Sequence, residues 1–219
     1  MSRFEISLVS TAWAFCVSWA SCRFPIVSRF SGKRVPSCWL LAADHSVPTP
    51  VSHAAVGFAI AAWTQQRPPT RRVCLVAAAC AALPDIDVLW SPLHLADTSP
   101  FAHRAITHSL AFALIGALVM TALFFRSEQW REQRSRIALV LGLALLSHGC
   151  LDSLSRYSLG IEFFAPFSAQ RFRFPWTPLG DPSGLAGQLI QEALVVFLPA
   201  VLIGWLGLRI RRRSLMTTP

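Results

Sequence analysis

The sequence predicts an all-α membrane protein, a bundle of about five transmembrane helices with a metal site at their outer-side ends. Three observations point there. Of 219 residues, 53% are hydrophobic and 14% are charged, with a mean hydropathy of +0.48, whereas soluble domains run at roughly 45–50% apolar and about 25% charged. Five apolar stretches recur after residue 50, at 51–63, 73–83, 105–125, 137–147 and 189–208. Arginines crowd alternate connections between them, and histidines and aspartates crowd the opposite ends.

Residues 1–46 open the chain with a different texture. "MSRFEISLVSTAWAFCVSWASC" has a basic start and an apolar run, which suits a signal anchor, but no clean A-x-A site follows. The alternative is a mis-assigned start, with translation beginning near Val47 at "VPTPVSHA". Either way 1–46 is set apart from a membrane helical domain over 47–210 and a basic cytoplasmic tail over 211–219. The six cysteines (16, 22, 38, 74, 80 and 150) form no CxxC pair, so neither a disulfide framework nor a thiolate zinc site is expected.

The apolar stretches reach the roughly 20 residues that span about 30 Å of hydrocarbon only when their polar ends are counted. Arg67, Arg71 and Arg72 follow the first, Arg126, Arg131, Arg134 and Arg136 follow the third, and Arg209, Arg211, Arg212 and Arg213 follow the fifth. The other two connections hold only Arg104, Arg156, Arg171 and Arg173. By the positive-inside rule the first set is cytoplasmic and the first helix runs from outside to inside. The net charge of +9 is thereby used up in orientation. A nucleic-acid partner is not expected.

That topology sorts the polar residues. His53 opens the first helix, Asp85 and Asp87 close the second, His103 and His108 open the third, and His148 and Asp152 close the fourth. All seven fall on one side. From the basic ends, at 1.5 Å per residue, His53, Asp85, His148 and His108 lie roughly 21, 20, 18 and 27 Å deep, so they meet in the outer leaflet. Ionisable groups there are costly unless paired, metal-bound or wet. A single histidine at a helix start is more often a cap, and "PDID" alone could be a helix stop. His148 and Asp152, at i and i+4, share a helix face and can address one ion. His103 and His108, five apart, share one ion only if His103 precedes the regular turns, which ranks His108 higher.

Imidazole with carboxylate and no thiolate points to a divalent metal, zinc or else manganese or iron, as one or two ions. Seven candidates exceed one tetrahedral shell, and a bridging aspartate between two ions suits hydrolysis at phosphorus. Asp87 or Asp152 is the expected acid–base group. Arg104 and Arg156, each near a ligand, are the expected phosphate holders.

The run "PTPVSHA", "LPDIDVLW", "HRAITHS", "SHGCLDSLSRYSLG" and "FFAPFSAQRFRFPW", in this order and spacing, resembles the YdjM-like inner-membrane proteins, described as membrane-bound metal-dependent hydrolases, across about residues 48–185. The resemblance implies a helical membrane protein of the inner membrane with metal ligands at His53, Asp85, Asp87, His103, His108, His148 and Asp152. The long N-terminal extension departs from the family. The His and Asp pattern is more loosely similar to zinc-dependent phospholipase C and related nucleases.

Segment 154–187 mixes Phe163, Phe164, Phe167, Phe172, Phe174 and Trp176 with Arg171, Arg173 and four prolines. It suits the membrane interface, with rings at headgroup level and guanidinium groups, Arg171 among them, reaching phosphate. The expected activity is hydrolysis of a phosphoester of a lipid or lipid-linked substrate, with the site facing the periplasmic or outer side. The alternative is a metal-handling transporter or a non-enzymatic membrane protein, and no internal repeat of the transporter kind is visible.

Overall fold

A computed structural model describes residues 48–64, 70–93, 99–156, 160–180 and 184–216, so the expected extension over 1–46 lies outside the described residues. The regular elements among the described residues are all helices, 160–180 is irregular, and two isolated bridges, Ser155 to Leu179 and Ile161 to Phe172, stand in place of any strand.

Helix α1 (Pro50–Thr64) starts on a proline, whose fixed φ and missing N–H suit a first helical position. Helix α2 (Arg71–Ala82) passes into a 3-10 run at Leu83–Leu93. The change of winding begins beside Pro84, which has no N–H to give to the carbonyl of Ala81, three residues earlier. Helix α3 (Leu110–Phe124) begins at Leu110, five residues later than the apolar run, because Ser109 caps it by accepting the N–H of Phe112 at 3.1 Å. Before it, Arg104 holds a left-handed backbone (φ 66°) and a short 3-10 turn covers Ile106–His108. Helix α4 (Arg134–Asp152) follows a 3-10 turn at Glu128–Gln133. The last apolar stretch is helix α5 (Gly184–Glu192), a π-helical turn (Ala193–Phe197) and helix α6 (Leu198–Met216).

Small residues line the centre. Ala61, Ala77, Ala81, Ala113, Ala117 and Ala144 are buried with Cys74, Cys80 and Leu141, which lets α1 to α4 approach closely. A Cβ on Gly57 of α1 would lie 2.5 Å from the Ala77 carbonyl oxygen and 2.6 Å from Ala81 Cβ, so α1 and α2 touch backbone to backbone. Outward, α3 exposes Leu114, Ile115, Leu118, Val119 and Leu123, and α6 exposes Val201, Leu202, Ile203 and Trp205. Such surfaces suit lipid, not water. Two continuous helical stretches, Glu128–Asp152 and Ala186–Arg211, are long and apolar enough to cross a membrane, and α3 is a shorter apolar helix.

Candidate metal centre

The end of the bundle where α1 and α3 begin and where α2 and α4 finish gathers every histidine and aspartate singled out in the sequence. Four of them converge. One ligand atom each from Asp85, His108, His148 and Asp152 lie within 4.8 Å of one another. His148 Nε2 is 2.9 Å from His108 Nε2 and 3.3 Å from Asp85 Oδ1. Asp152 Oδ2 is 3.3 Å from His108 Nε2 and 3.7 Å from His148 Nε2. In a zinc tetrahedron with bonds of about 2.0–2.1 Å, ligand atoms stand about 3.3–3.4 Å apart. The observed spacings straddle that value.

Hydrogen bonds on the far side of each ring decide what the near side offers. His148 Nδ1 lies 2.7 Å from the carbonyl oxygen of Ala81, which can only accept, so Nδ1 carries the hydrogen. Pro84 has left that carbonyl available. His108 Nδ1 lies 2.9 Å from Thr107 Oγ1, whose own hydrogen goes to Asp87 Oδ2 at 2.7 Å, so His108 Nδ1 is again the donor. In the neutral form, the form that binds metal, both rings therefore turn Nε2 lone pairs toward each other at 2.9 Å. Two lone pairs at that distance repel unless a positive charge sits between them, and two carboxylate oxygens complete the same cradle. Outer hydrogen bonds of this kind are what fix metal-binding imidazoles in place. The residues fit a divalent metal.

The other three sequence candidates stand around this group. His53 stacks on His148 with ring centroids 3.7 Å apart, and its Nε2 lies 3.1 Å from Asp152 Oδ1, off the hydrogen-bond direction. Both its ring nitrogens are buried and without a hydrogen bond, as is Asp85 Oδ2. Asp87 lies one layer out. It accepts from Thr107 Oγ1, from the Arg104 N–H at 3.2 Å, and from His103 Nδ1 at 2.6 Å, with His108 Nδ1 3.4 Å away. Its carboxylate is buried, and these donors on three sides hold it in place. His103, with 21% of its side chain exposed, touches the ligand group only through Asp87 and the edge of the His108 ring.

Of the arginines, Arg104 is in the site: its side chain is buried and Nε lies 3.3 Å from Asp152 Oδ2. Arg171 pairs with Glu162 at 3.0 Å, and Arg156 is exposed, with its N–H bonded to the Leu179 carbonyl at 2.7 Å. The aromatic segment is fastened over the centre. Ile161 and Phe172 exchange two backbone hydrogen bonds, at 2.8 and 2.9 Å, the Glu162 N–H reaches the Arg104 carbonyl at 3.2 Å, and the Leu110 N–H reaches the Phe163 carbonyl at 2.9 Å. Gly149, beside His148, accepts this close cover, since a Cβ there would sit 3.1 Å from the Phe163 ring and 3.2 Å from the His108 carbonyl oxygen.

Sequence reasoning missed Thr107, the Ala81 carbonyl and Glu162. A threonine or backbone carbonyl within an apolar run carries no signal of its own. It becomes visible only when a histidine turns its second nitrogen to it.

The sequence pattern of the YdjM inner membrane proteins matches residues 49–214, which covers the whole centre and the helices that build it. The chain belongs to the YdjM family. It is 32% identical over 171 residues to inner membrane protein YbcI of Escherichia coli strain K12, an alignment spanning 72% of this chain and 95% of that protein. No solved structure matches it. Membership of this family places the chain in the inner membrane.

Proposed function

We propose that the chain is a membrane-bound metal-dependent hydrolase acting on a phosphoester of a lipid or lipid-linked substrate, built as a five-span bundle with its site at the periplasmic or outer end. The observation that carries this is the pair of bare Nε2 atoms of His108 and His148 facing each other between Asp85 and Asp152. These four would hold one divalent ion, zinc by ligand type. Asp152, with Oδ2 on this group and Oδ1 toward His53, and His53 itself would be the residues to hold a second. A bound metal would supply Lewis acidity and water with a pKa brought down to about 7.

The protein's own residues divide the remaining work. Arg104, buried with its guanidinium against Asp152, is the anion holder, and it is the reason to prefer hydrolysis over transport: a fixed cation in the site favours a phosphate and opposes the passage of a metal ion. Asp87 has its lone pairs engaged by three donors and acts by orienting His103 and His108. His103, held through Nδ1 by Asp87 and partly exposed, would act as the acid in its imidazolium form, giving the Nε2 proton to the leaving oxygen and keeping the Nδ1 hydrogen on Asp87. Arg156 and Arg171 lie farther out, where a headgroup would first arrive.

The test uses protein purified in detergent, with bound metal measured by elemental analysis and hydrolysis measured on a panel of phospholipids and lipid pyrophosphates. Wild type should hold one or two transition-metal ions per chain and cleave at least one substrate only with metal present. His148→Ala and Asp85→Asn should lose most of the metal and the turnover. Metal flux into liposomes without ester cleavage would establish transport instead, and a protein that binds no metal near neutral pH would end the proposal.

A further inference from the structure

A second polar cluster lies away from the histidines, in the last apolar stretch. Glu192 is the acidic residue within the membrane-length helical stretch Ala186–Arg211, and its side chain is buried. Oε1 is well used. It accepts the Thr49 N–H at 2.7 Å and the Thr49 hydroxyl at 2.6 Å, at the start of α1. Oε2 is buried and bonded to nothing, and the same is true of Gln188 Oε1, one helical turn earlier. Residues i and i+4 share a helix face, so two oxygen acceptors lacking a donor stand on one side of α5, the side on which Glu192 meets Thr49. Among the described residues no basic side chain pairs with Glu192. A carboxylate at membrane depth is costly unless it is paired. The π-helical turn begins at the next residue, Ala193, and such turns concentrate at functional sites.

Orienting α1 would require only Oε1. The unmatched Oε2 and the Gln188 oxygen need something positive, and a donor set made of carboxylate, amide and hydroxyl oxygens selects a hard cation over a transition metal. We propose that Glu192, Gln188 and Thr49 form a second cation site, for a hard ion such as sodium, magnesium or calcium, separate from the histidine–aspartate centre. Thr49 lies one turn before His53, with its carbonyl accepting the His53 N–H at 3.2 Å. Occupation of the site would therefore fix the helix end that presents His53.

The full chain, purified in detergent with its histidine–aspartate centre already loaded with transition metal, is melted in sodium, magnesium, calcium and choline chlorides at equal ionic strength. At least one of the three cations should raise Tm saturably above the choline value, by about 2–4 °C. The rise should persist in His148→Ala and vanish in Glu192→Gln. In choline, Glu192→Gln should be at least as stable as wild type, because the uncompensated charge is gone. Gln188→Leu leaves both Thr49 contacts intact and should weaken the cation effect, so it reads the site even if the glutamine variant fails to fold. Equal Tm in all four salts, or a rise that Glu192→Gln and Gln188→Leu both retain, overturns the proposal. So does a Glu192→Gln protein that folds but is less stable than wild type in choline, the result expected of a carboxylate that only caps α1.

Discussion

Arg104 brings together most of the constraints on the centre. Its N–H goes to Asp87, its carbonyl receives the N–H of Glu162, its Nε faces Asp152, and its φ of 66° is a conformation L residues adopt at a cost of roughly 1–3 kcal/mol. A glycine would hold that backbone without strain, so the arginine is kept for its side chain. Arg104→Gly relieves that strain but leaves the buried Asp152 carboxylate without its guanidinium, and it should lose about 10²–10³-fold in kcat/KM on a phosphoester, the usual loss when one charged stabiliser of a transition state is removed. Arg104→Lys keeps the charge but not the planar fork and should recover only part. Equal activity in all three proteins would exclude Arg104 from substrate binding. The seven candidate ligands were legible because histidine and aspartate are rare and expensive in apolar surroundings. Their layering was not, because "HRAITHS" does not say which ring nitrogen meets a carboxylate. His103 and His108 separate into outer and inner positions only through the hydrogen bonds of Thr107 and Asp87. Glu192 left a trace in the sequence, a single acid in a long apolar run, but its partner Thr49 is 143 residues away.

At the level of elements, the centre depends on how closely α1, α2 and α4 approach. Gly57 sets the α1–α2 distance and the Ala81 carbonyl of α2 holds His148 of α4, so a displacement at the first contact is passed to the second. Gly57→Ala should lower stability by about 1–3 kcal/mol, the range for overpacking a tight contact, and should reduce bound metal as well. Gly149→Ala meets atoms at 3.1 and 3.2 Å, which yield by a few tenths of an ångström, so its effect on Tm should be smaller while its effect on turnover persists through the Phe163 cover. Thermal melts and metal content of the two proteins check both statements. A Gly57→Ala protein with unchanged Tm would show that α1 and α2 can separate freely. The helices themselves were readable from apolar runs bounded by charge. The change of winding after Ala82 is marked in the sequence by Pro84, but the π turn after Glu192 and the bridge from Ile161 to Phe172 were not readable, since neither follows from local periodicity.

For the whole molecule the open question is orientation, and the distribution of arginine supplies the expectation. The connection between α3 and α4 carries Arg126, Arg131 and Arg134, with Arg134 bonded to the Phe125 carbonyl at 3.0 Å at the end of α3. The metal-centre end of the bundle carries four, Arg104 buried, Arg171 paired with Glu162, Arg156 exposed and Arg173 bonded to the Arg156 carbonyl, against the larger set at the other end. Lys and Arg near helix ends stay on the cytoplasmic side, so the centre should face outward, with Phe167 and Trp176, the most exposed rings of the aromatic segment, at the headgroup level. A chain beginning at Val47 retains every one of these features, and it should insert and hold metal like the full chain. Single cysteines at Gln129 and Phe167 in an otherwise cysteine-free protein decide the orientation. In intact spheroplasts a membrane-impermeant maleimide should label the Phe167 position and spare Gln129 until the membrane is opened. The opposite pattern would move the centre to the cytoplasmic face, where its substrate would be drawn from the inner leaflet. Labelling of both positions in intact cells would mean that the helices between them cross the membrane an even number of times, which the five-span bundle does not allow.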